Sequence, residues 1–79
     1  MNIGHIVGKR IQELLFKNNM SVYKLAKITN LSEQTITNLI KGNSKNVKIS
    51  TLYIISNAFN IDLLEFISTD DFKNENIDI

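Results

Sequence analysis

Residues 21–42 read SVYKLAKITNLSEQTITNLIKG, and this stretch decides the fold. Ser21 is a strong helix N-cap, and Met20 before it can pack as a hydrophobic staple. The helix it opens is short, ending near Thr29, with Leu25, Ala26 and Ile28 as inward candidates. Asn30 tolerates the left-handed conformation needed to leave a helix. Ser32 then caps a further helix through the backbone N–H of Gln34 or Thr35. Ile36, Leu39 and Ile40 are its apolar positions, and Gly42 stands just past its end, where a C′ glycine belongs. Two capped helices are thus joined by a turn of about three residues centred on Asn30. Ala26 is placed where the two must cross closely.

The rest of the chain repeats this pattern. Val7, Ile11, Leu14 and Leu15 fall at i, i+4, i+7 and i+8, so a helix is expected over about residues 5–18, stopped by Asn18 and Asn19. Residues 42–48 are a polar, basic loop. A fourth helix should start at Ser50 or Thr51 and reach about Phe59, with Leu52, Ile55, Ala58 and Phe59 inward and Asn60 as the stop. Asp62 caps a short fifth helix from Leu63 to about Ile67, and Glu65 completes the spacing of a capping box. Residues 68–79 are polar and acidic and read as a flexible tail. There is no proline, glycine occurs only at 4, 8 and 42, and no period-2 alternation or hairpin turn marks a strand. The expected fold is all-α: a compact five-helix domain over residues 1–67, with its helix-turn-helix unit at 21–42, followed by a tail over 68–79.

Composition excludes several classes. At 79 residues the chain is one small domain. It has no cysteine, hence no disulfides and no Cys-ligated zinc, and the lone His5 argues against a histidine metal site. No apolar run is long enough to span a membrane, and no signal-peptide pattern opens the chain. No paired carboxylates or activated nucleophile point to an enzyme, so neither catalytic residues nor a cofactor are expected. The net charge of +1 hides a polarity. Residues 1–60 carry Lys9, Arg10, Lys17, Lys24, Lys27, Lys41, Lys45 and Lys48 against Glu13 and Glu33, a net of +6; residues 61–79 carry Lys73 against six acids, a net of −5. Such a split marks either a solvated surface or a basic body built for an anionic partner.

The ordered motifs resemble the phage repressor/Cro-type, or XRE-like, helix-turn-helix regulators, and the resemblance covers roughly residues 5–67. VGKRIQEL at 7–14 is similar to the family's first helix, KLA at 24–26 to its small-residue turn, and LSEQTI at 31–36 to the start of its recognition helix. SKNVKI at 44–49 with Thr51-Leu52 resembles the loop into the fourth helix, and Phe59-Asn60-Ile61 with Glu65-Phe66 its closing helices. Asn30 stands where Gly is frequent, Val47 where Pro is common, and Lys24 where Glu is frequent.

This resemblance implies a lambda-repressor-like fold with the helix over 32–41 in the major groove of double-stranded DNA. The outward candidates for base reading are then Ser32, Glu33, Gln34, Thr37 and Asn38. Gln34 and Asn38 are amides suited to adenine N6/N7, Thr37 to a thymine methyl, and Glu33 to a cytosine N4 donor. Glu33 is equally read as a first-turn acid that complements the helix dipole. Candidate phosphate contacts are Arg10, the backbone N–H groups near Val22 and Tyr23, and Lys41, Asn43, Ser44, Lys45 and Lys48. Singly, each lysine also reads as a solvated charge. Members usually bind inverted repeats as homodimers, and Tyr53, Ile54, Leu64 and Ile67 are the candidate dimer interface, against the alternative of core or scattered surface apolarity. The family implies a cytoplasmic, bacterial or phage-encoded transcriptional regulator, by preference a repressor. A different reading is an antitoxin-type interaction protein whose acidic tail engages a protein partner through Phe72, Ile77 and Ile79.

Overall fold

The structure, a computed structural model, describes residues 2–43 and 47–73. Side-chain caps start four of its five helices. Asn2 Oδ1 accepts the His5 N–H at 2.9 Å and opens α1, Ile3–Lys17. Ser21 Oγ accepts the Lys24 N–H at 3.0 Å and opens α2, Val22–Thr29. Ser32 Oγ does the same for Thr35 at 3.0 Å, opening α3, Glu33–Ile40. Asp62 Oδ1 accepts from Glu65 N at 2.7 Å and opens α5, Leu63–Phe66. The exception is α4, Ile49–Ala58, whose N-cap Lys48 has no side-chain cap. The Lys48 carbonyl already accepts from Thr51 and Leu52, so the helix is under way before the serine and threonine expected to begin it. Three of the exits are asparagines at positive φ, namely Asn19, Asn30 and Asn60, and the fourth is Gly42 at φ 73°. Asparagine and glycine are the residues that bear this conformation at least cost.

All five helices share one core. It is built from Val7, Ile11, Leu14 and Leu15 of α1, Leu25 and Ala26 of α2, Ile36 and Leu39 of α3, Ile55 of α4 with the adjoining Phe59, and Phe66 of α5. Ile28, an inward candidate by sequence, is instead about half exposed.

The tightest contact lies between α1 and α3. A Cβ on Gly8 would stand 2.5 Å from the Ile40 carbonyl oxygen and 2.6 Å from that of Leu39. Only hydrogen at this position lets α1 lie directly on the last turn of α3. A second close approach sits one turn earlier on α1, where His5 covers Gly42.

The chain after α5 departs from expectation. A 3-10 turn, Asp70–Phe72, packs on α1 instead of trailing away. Phe72 is half-buried against the core, its ring 6.4 Å from that of Phe66. Asp71 pairs with Lys9 at 3.0 Å. Ile6, one turn before Lys9 and Arg10 on the same side of α1, is fully buried although it lies off the main apolar stripe. Residues 69–72 are therefore body, not tail: an apolar ring and a carboxylate together give them something to dock on. Residues 74–79 of the expected tail lie outside the described residues. The Asp71 carboxylate raises the Lys9 pKa above its ordinary value. What Lys9 contributes through this shift is thus present below the ordinary lysine range and is lost as pH rises through the raised value.

Gly8→Ala gains about 1 kcal/mol of helix propensity but forces a methyl onto two backbone carbonyls. Overpacking of this kind costs about 1–3 kcal/mol or more, so the urea midpoint is expected to fall. An unchanged or raised midpoint would show that α1 has room to move off α3.

Candidate nucleic-acid interface

Eight residues make α3, too few to hold helix shape alone in water. Its geometry comes from its cap and from its buried side. Ile36 and Leu39 are buried and Ile40 half-buried, which fixes the rotation of the helix on the core. At 100° per residue, the direction opposite that face is held by Gln34 and Asn38. Thr37 flanks them on one side and Thr35 on the other. Glu33 and Gln34 are exposed, and Thr37 and Asn38 half-exposed.

Gln34 Nε2 donates to Asn38 Oδ1 at 3.0 Å. The two amides form one bonded unit along the outer line of α3, the i,i+4 arrangement that a helix surface favours. Ser32 is exposed, but its hydroxyl is committed: it accepts the Thr35 N–H and lies 2.8 Å from Thr35 Oγ1. Its first role is that of a cap. Thr35, exposed beside it, is an outer residue that sequence reasoning passed over. The signal was available, since Thr35 lies one residue after Gln34 and 90° from the buried face.

Of the candidate phosphate contacts, Tyr23 is about half exposed, and the Lys27 ammonium stands 5.1 Å from its ring centroid. Val22 is half-buried at the start of α2, where the first N–H groups have no partner within the helix. Lys41 and Asn43 are exposed at the exit of α3, and Lys48 at the entry of α4. Ser44 and Lys45 lie outside the described residues.

Arg10, also among the candidates, is turned toward the end of α5. Its Nε donates to the Phe66 carbonyl at 2.8 Å and its NH2 to the Glu65 carbonyl at 3.1 Å. The guanidinium also lies over the Phe66 ring, 5.8 Å from its centroid. The planar fork of Arg suits this task, reaching two successive carbonyls at the end of α5. The side chain expected at a phosphate is thus engaged by the protein itself.

The apolar candidates Tyr53, Ile54, Leu64 and Ile67 all reach the surface, Leu64 most of all at 72% exposure. Ile49, one turn before Tyr53, is exposed to 71% and was not singled out by sequence. Among the described residues no helix is long and apolar enough to cross a membrane. No three acidic, histidine or cysteine side chains among them gather as a metal site.

A family model described as the Cro/C1-type HTH DNA-binding domain matches residues 10–71. Among solved structures, the crystal structure of the prophage Lp1 protein 11 is similar with a TM-score of 0.80 at 21% identity, over 94% of this chain and 99% of that one. At that identity the likeness is one of fold. The curated proteins contain no match.

Arg10→Lys keeps the charge but not the two-carbonyl fork. Hydrogen bonds to charged groups contribute about 1.5–3 kcal/mol, and lysine recovers part of this. A loss of about 1–2 kcal/mol in urea unfolding is expected. Unaltered stability would return Arg10 to the surface residues free to meet DNA.

Proposed function

Because the chain belongs to the Cro/C1-type helix-turn-helix DNA-binding domain family, we propose that it is a sequence-specific transcriptional regulator, by preference a repressor. In this reading it binds an inverted-repeat operator in double-stranded DNA as a homodimer, with α3 in the major groove. It acts in the cytoplasm, on the nucleoid, catalyses no reaction and needs no cofactor. The observation that carries the reading is the Gln34–Asn38 amide pair on the outer line of a helix whose rotation the core fixes. Gln34 and Asn38 are the principal base readers, with Thr37 beside them. Glu33 and Ser32 complete the first turn, the latter chiefly as its cap. Val22, Tyr23, Lys41, Asn43 and Lys48 meet phosphates, together with Ser44 and Lys45. Tyr53, Ile54, Leu64 and Ile67 supply the contact between two copies, joined by Ile49. Half-sites then fall about one helical turn, roughly 10 base pairs, apart.

The antitoxin-type reading is less favoured, because Phe72, one of the three apolar anchors assigned to a partner, is spent on the protein's own core. We take the functional domain to extend through the 3-10 turn instead of ending at residue 67.

Selection of bound duplexes from a random pool tests the proposal. An enriched inverted repeat with that spacing is expected; a pool that stays random refutes sequence-specific binding. On the selected duplex, Gln34→Ala or Asn38→Ala is expected to cost about 1–3 kcal/mol, with no change on scrambled DNA. An equal loss on both would make these residues general backbone contacts.

A further inference from the structure

The one histidine of the chain lies at the exit of the proposed reading helix. His5 is exposed in the first turn of α1, yet its ring is seated on the backbone of Gly42. A Cβ there would collide with His5 Cδ2 and stand 3.1 Å from Nε2. The contact needs both glycines, since Gly8 is what brings α1 onto the end of α3. It places an imidazole beside Lys41 and Asn43, two groups assigned above to the DNA backbone. We infer that His5 is itself a DNA-phosphate contact, which makes affinity dependent on proton uptake. This inference rests on the DNA-binding reading.

The chemistry follows from the ring. Neutral imidazole offers one N–H donor, and imidazolium offers two together with a charge. A phosphate close by favours the charged form and so raises the histidine pKa in the complex. The charged groups carried by the two elements in contact here are Lys9 on α1, paired with Asp71, and Lys41 at the end of α3. With a pKa higher in the complex than in the free protein, affinity strengthens as pH falls through the bound value and levels off below the free one. Each unit of difference is worth about tenfold in affinity.

Because His5 is the only histidine, its ring can be titrated by NMR in the unaltered protein, free and with a short mixed-sequence duplex. A pKa raised by the duplex is expected, and an unchanged pKa overturns the inference. Duplex affinity between about pH 8 and about pH 5.5 provides a second readout. The wild type should tighten on acidification, and His5→Gln should lose that dependence. At the acidic end the wild type's log-log salt slope should exceed that of His5→Gln by about 0.9. His5→Lys should bind at the tighter level throughout. Identical pH profiles for wild type and His5→Gln sink the inference but leave DNA binding standing. No duplex binding by any variant at any pH defeats the DNA-binding reading, and this inference with it.

Discussion

The close approach of α1 to the last turn of α3 is the contact on which the remainder depends. A helix of eight residues has little intrinsic stability, so the position of α3 is decided by what it rests against. Its buried side chains fix its rotation, and they would tolerate some sliding along the axis. The carbonyls of Leu39 and Ile40 against Gly8 remove that freedom, because backbone atoms at van der Waals distance have no rotamers with which to adjust. His5 on Gly42 fixes the same end at a second point. The outer residues Gln34, Thr37 and Asn38 thus inherit their placement from two positions that carry no side chain.

The other side of α1 is secured by charge and by aromatic rings. Arg10 closes the end of α5, and Lys9 holds the turn at Asp70–Phe72. Two of the cations in the basic part of the chain are therefore bound to its acidic end. Lys24, Lys27, Lys41 and Lys48, on α2 and on either side of the loop after α3, are outside this arrangement. The polarity of the sequence is sharper in three dimensions than along the chain. Asp71 pairs with Lys9 where the 3-10 turn meets α1, and Arg10 is held by Glu13 and two carbonyls of α5, while the basic groups around the helix-turn-helix lie apart from these contacts. Such a distribution suits an anionic partner better than the net charge of +1 implies.

What could be read from the sequence was local. Ser21, Ser32 and Asp62 are caps acting over three residues, and Asn30, Asn60 and Gly42 are exits acting over one or two. These signals survive in a single sequence because donor and acceptor are neighbours in it. The errors came from contacts between distant residues. Arg10 reaches carbonyls 55 and 56 positions away, and no local pattern separates such an arginine from one facing solvent. Gly8 is an unremarkable glycine until Leu39 and Ile40 are placed across from it. The turn at Asp70–Phe72 was hidden by its composition. Two aspartates beside a phenylalanine look solvated until Lys9 and Phe66 lie opposite.

The bond between Gln34 and Asn38 bears on how the two would act at a groove. A free surface amide loses rotamer freedom when it binds, a cost of about 0.5–1.5 kcal/mol for each flexible side chain. Here part of that ordering is already done within the helix. The shared bond uses one N–H of Gln34 and one lone pair of Asn38. Each amide still keeps a donor and an acceptor, the pattern that adenine presents in complement. In the proposed complex the pair therefore reads as a unit. Removing either member also frees the other to move, so losses at the two positions should not add. The same dependence runs back to the core, because the direction of the pair is that of α3, and the position of α3 is set by Gly8.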